Sequence, residues 1–224
     1  MPEPKSTSED AQRAASDLAP EQTDPDDDSA REQEILAHRI GPVDPLNGTI
    51  HLAEYDPGWP RLFAREAARV RAALGDRVVQ LEHVGSTSVP GLAAKPRIDL
   101  ILVVPDSADE PAYVPALEAA GYVLHVREPD WYEHRVFKGP DTDVNLHVFS
   151  PNCVEIERML RFRDWLRANS ADRMLYEHTK RELAARVWKY TQNYADAKTA
   201  VVEEILARAR PSEAGAGGDA RDGE

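Results

Sequence analysis

An α/β fold with a mixed sheet and a helical C-terminal part is what three features of this 224-residue sequence predict. Residues 78–84 and 98–104 are apolar, β-branched runs joined by a loop of glycine, hydroxyl and lysine residues, which reads as strand, loop, strand. Residues 133–138 and 143–149 are two more β runs, separated by Gly139-Pro140-Asp141-Thr142 as in a hairpin. From Ser150 onward the apolar positions recur at helical spacing.

Taken in order, residues 1–33 hold four prolines, the run Asp26-Asp27-Asp28 and almost no large apolar side chain. Such a segment cannot bury enough surface to offset its chain entropy, so a disordered acidic tail is expected. An α/β core over 34–150 follows. Residues 35–47 read as a connector and 49–55 as a short strand. Asp56-Pro57-Gly58-Trp59-Pro60 starts a helix, with Asp56 placed to cap and the prolines in the first turn, where a missing N–H does no harm. Leu62, Phe63, Ala67, Val70 and Leu74 form its apolar stripe, and Gly75 ends it. Trp59, at the foot of that stripe, reads as a core plug rather than a stacking platform.

Ile98 to Val104 carries one charge, Asp99, so the strand is expected to be covered on both faces. A short helix over 111–120 and a strand over 122–127 lead into the hairpin, for about five strands in all. The helical part over 151–209 holds three expected helices: one from about 152, one over 172–188 and one over 195–209. It packs on the core or lids it, and residues 210–224 form a flexible tail.

The net charge of −13 divides unevenly. Residues 1–34 carry eleven acids and three bases, and residues 211–224 carry four acids and one base, which leaves about −2 for the rest. A nearly neutral folded part argues against a protein that coats DNA and leaves room for a local basic pocket. No run approaches the roughly eighteen apolar residues of a membrane span. The N-terminal residues show no signal-peptide pattern and Cys153 is the only cysteine, so a cytoplasmic protein without disulfides is expected.

The run His83-Val84-Gly85-Ser86-Thr87-Ser88-Val89-Pro90-Gly91-Leu92-Ala93-Ala94-Lys95-Pro96-Arg97-Ile98-Asp99 carries the chemistry. Glycines allow backbone N–H groups to approach an anion closely. A lone acid in an apolar strand needs a ligand or a hydrogen-bond partner, because burying it unpaired is expensive. Gly85, Ser86 and Thr87 are therefore candidates for holding an anion such as phosphate, with Lys95 a cation in the same loop, and Asp99 is a candidate for holding a ligand or a hydrogen-bond partner. His83 is either a core histidine or a catalytic one, and the cluster of Arg127, Trp131, Tyr132, Glu133, His134, Arg135 and Lys138 either lines a pocket or faces solvent. There is no P-loop, no G-x-S-x-G and no H-E-x-x-H.

The Gly-Ser pair, twelve intervening residues and an acid in the next strand resemble the signature of the nucleotidyltransferase superfamily. The full run resembles the GrpB family within it, as do Tyr55-Asp56-Pro57-x-Trp59-Pro60, the stretch 160–167 and Tyr194-x-x-Ala197-Lys198. The resemblance spans residues 50–209 and implies a nucleotidyltransferase-like core. It implies that Gly85-Ser86 holds nucleotide phosphates and Asp99 a divalent ion. Ile101 stands where the superfamily has its second acid, and the neighbouring strand offers Asn145 and His147 where a third is usual. One carboxylate and one histidine suit Mn²⁺ better than Mg²⁺, and His147 is alternatively a general base or phosphate contact.

The reading implied is a metal-dependent nucleotidyltransferase that uses a nucleoside triphosphate, Mg²⁺ or Mn²⁺ and an unknown acceptor, a small molecule in preference to nucleic acid. The alternative is a non-catalytic module that binds a nucleotide or coenzyme A and assists a partner protein, since GrpB-like domains also occur joined to dephospho-coenzyme A kinases.

Overall fold

The structure, a computed structural model, describes residues 32–33, 35–42 and 45–209. All but two residues of the tail expected over 1–33, and the whole of 210–224, lie outside these; residues 32 and 33 are helical. The chain divides into one unit of residues 1–37 and another of residues 38–224, and the fold below is that of the second.

Five strands form one sheet: β1 (Gln80–Val84), β2 (Ile98–Val103), β3 (Val123–Glu128), β4 (His134–Lys138) and β5 (Val144–Phe149), in the order β1-β2-β5-β4-β3. β2 and β5 are parallel and the other neighbours antiparallel, so the sheet is mixed. β2 lies inside the sheet, and all its side chains except Asp99 are buried.

Side chains alternate across the sheet, and each face has its own cover. Leu81, Leu100, Leu102, Leu146 and Phe137 pack under α1 (Trp59–Leu74) and α2 (Val114–Ala119). Val84, Ile101, Val103 and Phe149, on the other face, meet Ile156 of α3 (Val154–Ala168). Ile101 is fully buried there. That packing gives a physical reason for an isoleucine at this position.

α3 continues into α4 (Ser170–Ala184), α5 (Thr191–Asp196) and α6 (Thr199–Arg208). The Asn169 side chain accepts from the Asp172 N–H at 3.0 Å, which sets the start of α4. Leu166, Tyr176, Val201 and Ile205 from these helices enclose Val89 and Leu92 of the β1–β2 loop, so the helical part packs on the core at that loop.

Four expectations change. Residues 49–55 are not a strand; Gly48 and Ala53 make isolated bridges to Trp188 and Ala94, which tie this segment to the C-terminal part and to the loop. Asp56 does not cap a helical N–H: its Oδ1 accepts from Gly58 N at 2.7 Å, and Gly58 itself occupies the cap position. α4 stops at Ala184, after which Trp188 folds back and donates its indole N–H to the Leu183 carbonyl. The last helix is two, with a break at Ala197 and Lys198 that turns Lys198 toward the Tyr194 ring.

Trp59 is 2% exposed and meets Tyr55 edge-on, a core position. His83 is also a core residue: it lies on the α1 face, stacked on Phe63 at 4.8 Å, with Nε2 3.1 Å from the Thr87 hydroxyl. Burial pushes its imidazole down to about 4, and burial does the same to His125 and His134. Each is neutral in the fold and ionises near pH 6.5 when unfolded. The unfolded chain thus binds more protons below about pH 6.5, and stability falls as pH drops from there to about 4. Urea midpoints across that range are expected to decline, and more gently in His83→Gln, which removes one of the three groups.

Candidate functional site

The site forms where the end of β1, the loop after it and the start of β2 meet the helical part. Val84 is paired with Asp99, Asp99 with Asn145, and Asn145 with Lys138, so these residues lie in one row across the sheet. The row is wired by hydrogen bonds. Lys138 Nζ donates to Asn145 Oδ1 at 2.6 Å, and Asn145 Nδ2 donates to Asp99 Oδ1 at 2.8 Å. His147, two residues after Asn145, projects from the same face, with Nε2 3.9 Å from Asp99 Oδ1.

Gly85 is shaped by this carboxylate. Its backbone has φ 70° and ψ −177°, a region open in practice only to glycine. A Cβ added there would lie 2.4 Å from Asp99 Oδ2. The glycine therefore brings loop backbone against the acid, and a 3-10 turn, Ser86–Ser88, follows at once.

The three hydroxyls of that turn diverge. Ser88 Oγ donates to the Gly85 carbonyl at 2.6 Å, and Thr87, 1% exposed, donates to the Arg97 carbonyl at 3.0 Å. Both brace the loop, so anything Thr87 offers a ligand comes from its backbone. Ser86 Oγ instead receives a hydrogen bond from Lys180 Nζ at 3.2 Å.

Lys180 comes from α4 and is 2% exposed. Its ammonium also donates to the Ala93 carbonyl and lies 4.9 Å from the Tyr176 ring centre. Lys95 and Lys198 approach one ring, that of Tyr194, at 5.9 and 4.6 Å. Lys198, in the break between α5 and α6, thus shares the Tyr194 ring with Lys95 of the loop. Burial, then the nearby charge of Lys198, pushes Lys180 down to about 7. Burial, followed by Arg97 and Lys198, pushes Lys95 to about 8, and burial and Arg97 push Lys138 to about 8.

Asp99 behaves oppositely. Burial acts to raise its carboxyl, but His147, the Asn145 amide and the Arg97 charge outweigh it and hold the group below the ordinary carboxylate range. It remains an anion beside several amines. α3 fixes the edge of the site: Arg163 donates to the His83 carbonyl at 3.0 Å, and Arg167 to the Ser88 carbonyl at 2.9 and 3.0 Å.

Gly85, Ser86, Lys95, Asp99 and His147 come together, while Thr87 stands behind the loop. The cluster over 127–138 divides by strand alternation. Arg127 and Arg135 both grip Glu110 at 2.6 Å, whereas His134 and Lys138 face His147 and Asn145. Lys180 is the residue sequence reasoning missed. Its signal was a charge on the buried stripe Tyr176, Lys180, Leu183, Ala184, the same anomaly that marks Asp99 in β2.

Among the described residues no three His, Cys, Asp or Glu side chains gather as metal ligands. Asp99 and His147 are two donors, which fits a divalent ion that completes its shell with water and substrate phosphates. His147 Nδ1 has a hydrogen-bond partner in His134 at 3.0 Å, as a ligating imidazole usually does.

A family model described as GrpB protein matches residues 49–208. The chain is similar to a UPF0157 protein of Halalkalibacterium halodurans, 61% identical over 178 residues, which cover 80% of this chain and 91% of that one. The crystal structure of conserved protein GrpB from Enterococcus faecalis aligns with a TM-score of 0.60 at 30% identity, covering 71% of this chain and 96% of that chain. A dephospho-CoA kinase of Mycolicibacterium paratuberculosis is 28% identical over 177 residues, which cover 67% of this chain and 44% of the kinase.

Gly85→Ala is expected to cost at least about 1–3 kcal/mol through backbone strain alone, and more because Asp99 must move. Gly91, with φ 77° and open space beside it, is the control. Urea denaturation should show Gly85→Ala as the more damaging change.

Proposed function

The chain belongs to the GrpB family, and we propose that its loop site binds the phosphates of a nucleoside triphosphate and transfers the nucleotidyl group to a small acceptor. The observation that carries this is Lys180: an amine 2% exposed, bonded to Ser86 of the Gly-Ser pair, with the charge of Lys198 acting on it and Lys95 sharing the Tyr194 ring with Lys198. Burial lowers the Lys180 and Lys95 amines, and a polyphosphate brought against them restores their charge.

Each residue then has a task. Lys180 and Ser86 hold phosphate oxygens, with Lys95 and Lys198 as further cations over the leaving pyrophosphate. The missing Cβ at Gly85 lets the loop backbone, and the phosphates it would hold, lie against Asp99. Asp99 and His147 would hold Mn²⁺ or Mg²⁺, which when bound neutralises charge on the reacting phosphate. Lys138, through Asn145, fixes one Asp99 oxygen and leaves the other facing the loop.

A second reading, a non-catalytic nucleotide or coenzyme A module, is favoured by Ile101. Its place in the apolar cluster beneath α3 leaves the site one carboxylate short of the superfamily pattern. The dephospho-CoA kinase relative points the same way.

Calorimetry with each of the four nucleoside triphosphates, with and without Mn²⁺, separates the two. Metal-dependent binding is expected, lost in Asp99→Asn and weakened about tenfold or more in Lys180→Met, the loss of a charged hydrogen bond being worth about 1.5–3 kcal/mol. Pyrophosphate release in the presence of candidate acceptors would support transfer. Binding of coenzyme A that ignores metal and survives Asp99→Asn would favour the module, and failure to bind any triphosphate would end the transferase reading.

A further inference from the structure

A line of side chains runs away from Asp99 across the sheet. Glu128 ends β3, His134 begins β4 and His147 lies in β5. Glu128 Oε2 is 2.6 Å from His134 Nδ1, and His134 Nε2 is 3.0 Å from His147 Nδ1. His147 Nε2 lies 3.9 Å from Asp99 Oδ1.

Hydrogen-bond polarity passes along this line in one direction. A carboxylate only accepts, so His134 Nδ1 carries the proton that Glu128 receives. In a neutral imidazole the other nitrogen then has a lone pair. His134 is 4% exposed and stacked on Phe149 at 4.6 Å, a setting that disfavours an imidazolium. Its Nε2 therefore accepts, and His147 Nδ1 donates.

Ring geometry agrees. The His134 and His147 planes differ by 8° with centroids 5.2 Å apart. An imidazole N–H and an imidazole lone pair both lie in their ring planes, so nearly parallel rings with a 3.0 Å N···N contact give an in-line bond. Trp131 lies edge-on to His134 at 5.1 Å and limits its rotation.

In a neutral His147 the proton on Nδ1 leaves Nε2 bare, facing a carboxylate oxygen; only a ring that also carries a proton on Nε2 pairs with Asp99 and lowers its carboxyl. Two electron-pair donors 3.9 Å apart repel unless a cation lies between them. Asp99 Oδ1 already accepts from Asn145, which steadies its side of the pair.

We propose that Glu128 and His134 are positioning residues that fix His147 in its Nδ1–H tautomer, so that the Nε2 lone pair and Asp99 together present a two-donor site to a borderline divalent ion such as Mn²⁺. This rests on the metal-binding part of the function proposed above and adds how that site is held ready. An ion with affinity for imidazole nitrogen is selected over Mg²⁺, which prefers oxygen.

The test is ¹⁵N NMR of the full chain labelled in histidine, without metal, at pH 8, together with Mn²⁺ titration followed by electron paramagnetic resonance. The expected spectrum has His147 protonated on Nδ1 with a pyridine-type Nε2, and His134 protonated on Nδ1. His134→Phe keeps a ring against Phe149 and removes both nitrogens. It should release the His147 tautomer and weaken Mn²⁺ binding about tenfold or more, as loss of a group orienting a metal ligand does. A proton on His147 Nε2 in the wild type overturns the proposal, as does unchanged Mn²⁺ affinity in a folded His134→Phe. Should that variant not fold, the wild-type spectrum decides alone. Absence of nucleotidyl transfer with the Nδ1–H tautomer intact would remove the proposed reaction and leave the positioning role. An Nε2–H His147 in a protein that binds triphosphate would do the reverse.

Discussion

The carboxylate of Asp99 occupies the space where any side chain at position 85 would begin, and the site follows from that close approach. β1 and β2 must pair so that Val84 lies opposite Asp99, and the chain must leave β1 through a backbone conformation that glycine alone takes comfortably. The loop is then committed to turn across the acid. A slip of one residue in that pairing would send Asp99 into the core under α1.

Holding a charged carboxylate at this depth requires balance. Asn145 supplies it within the sheet, and the loop and helices bring Lys95, Lys180 and Lys198 nearby. Burial, with neighbouring cations second, lowers the Lys95 and Lys180 amines. The helical part supplies Lys180 and Lys198 and also fastens the end of β1 through Arg163 on the His83 carbonyl, and the loop through Arg167 on the Ser88 carbonyl and the cluster around Leu92. Fold stability and site geometry thus share the same contacts.

Much of the fold was legible because it rests on local pattern. The α1 stripe, the apolar β2 run and the hairpin over 133–149 each carry a clear period, and the side-by-side placement of Asn145 and His147 follows from the period of two. The segment over 49–55 deceived because its alternation was real, yet Ala53 bridges to the loop, and Gly48, just before the segment, to Trp188 of the helical part, rather than to a sheet edge. The loop and Asp99 stood out as anomalies in an apolar context. Lys180 was the same kind of anomaly, but it lay in a helix whose buried side could not be fixed without knowing what it packs on. The line from Glu128 to His147 was beyond reach, since it depends on which strands adjoin in the order β5-β4-β3.

The most direct measurement is a crystal structure of the protein with Mn²⁺ and a non-hydrolysable nucleoside triphosphate, with the metal located by anomalous scattering. The account predicts the metal bonded to Asp99 and His147 Nε2, and phosphate oxygens within hydrogen-bond distance of Lys180 and Ser86. A nucleotide bound elsewhere, or phosphates at the loop with Asp99 and His147 untouched by metal, would contradict it.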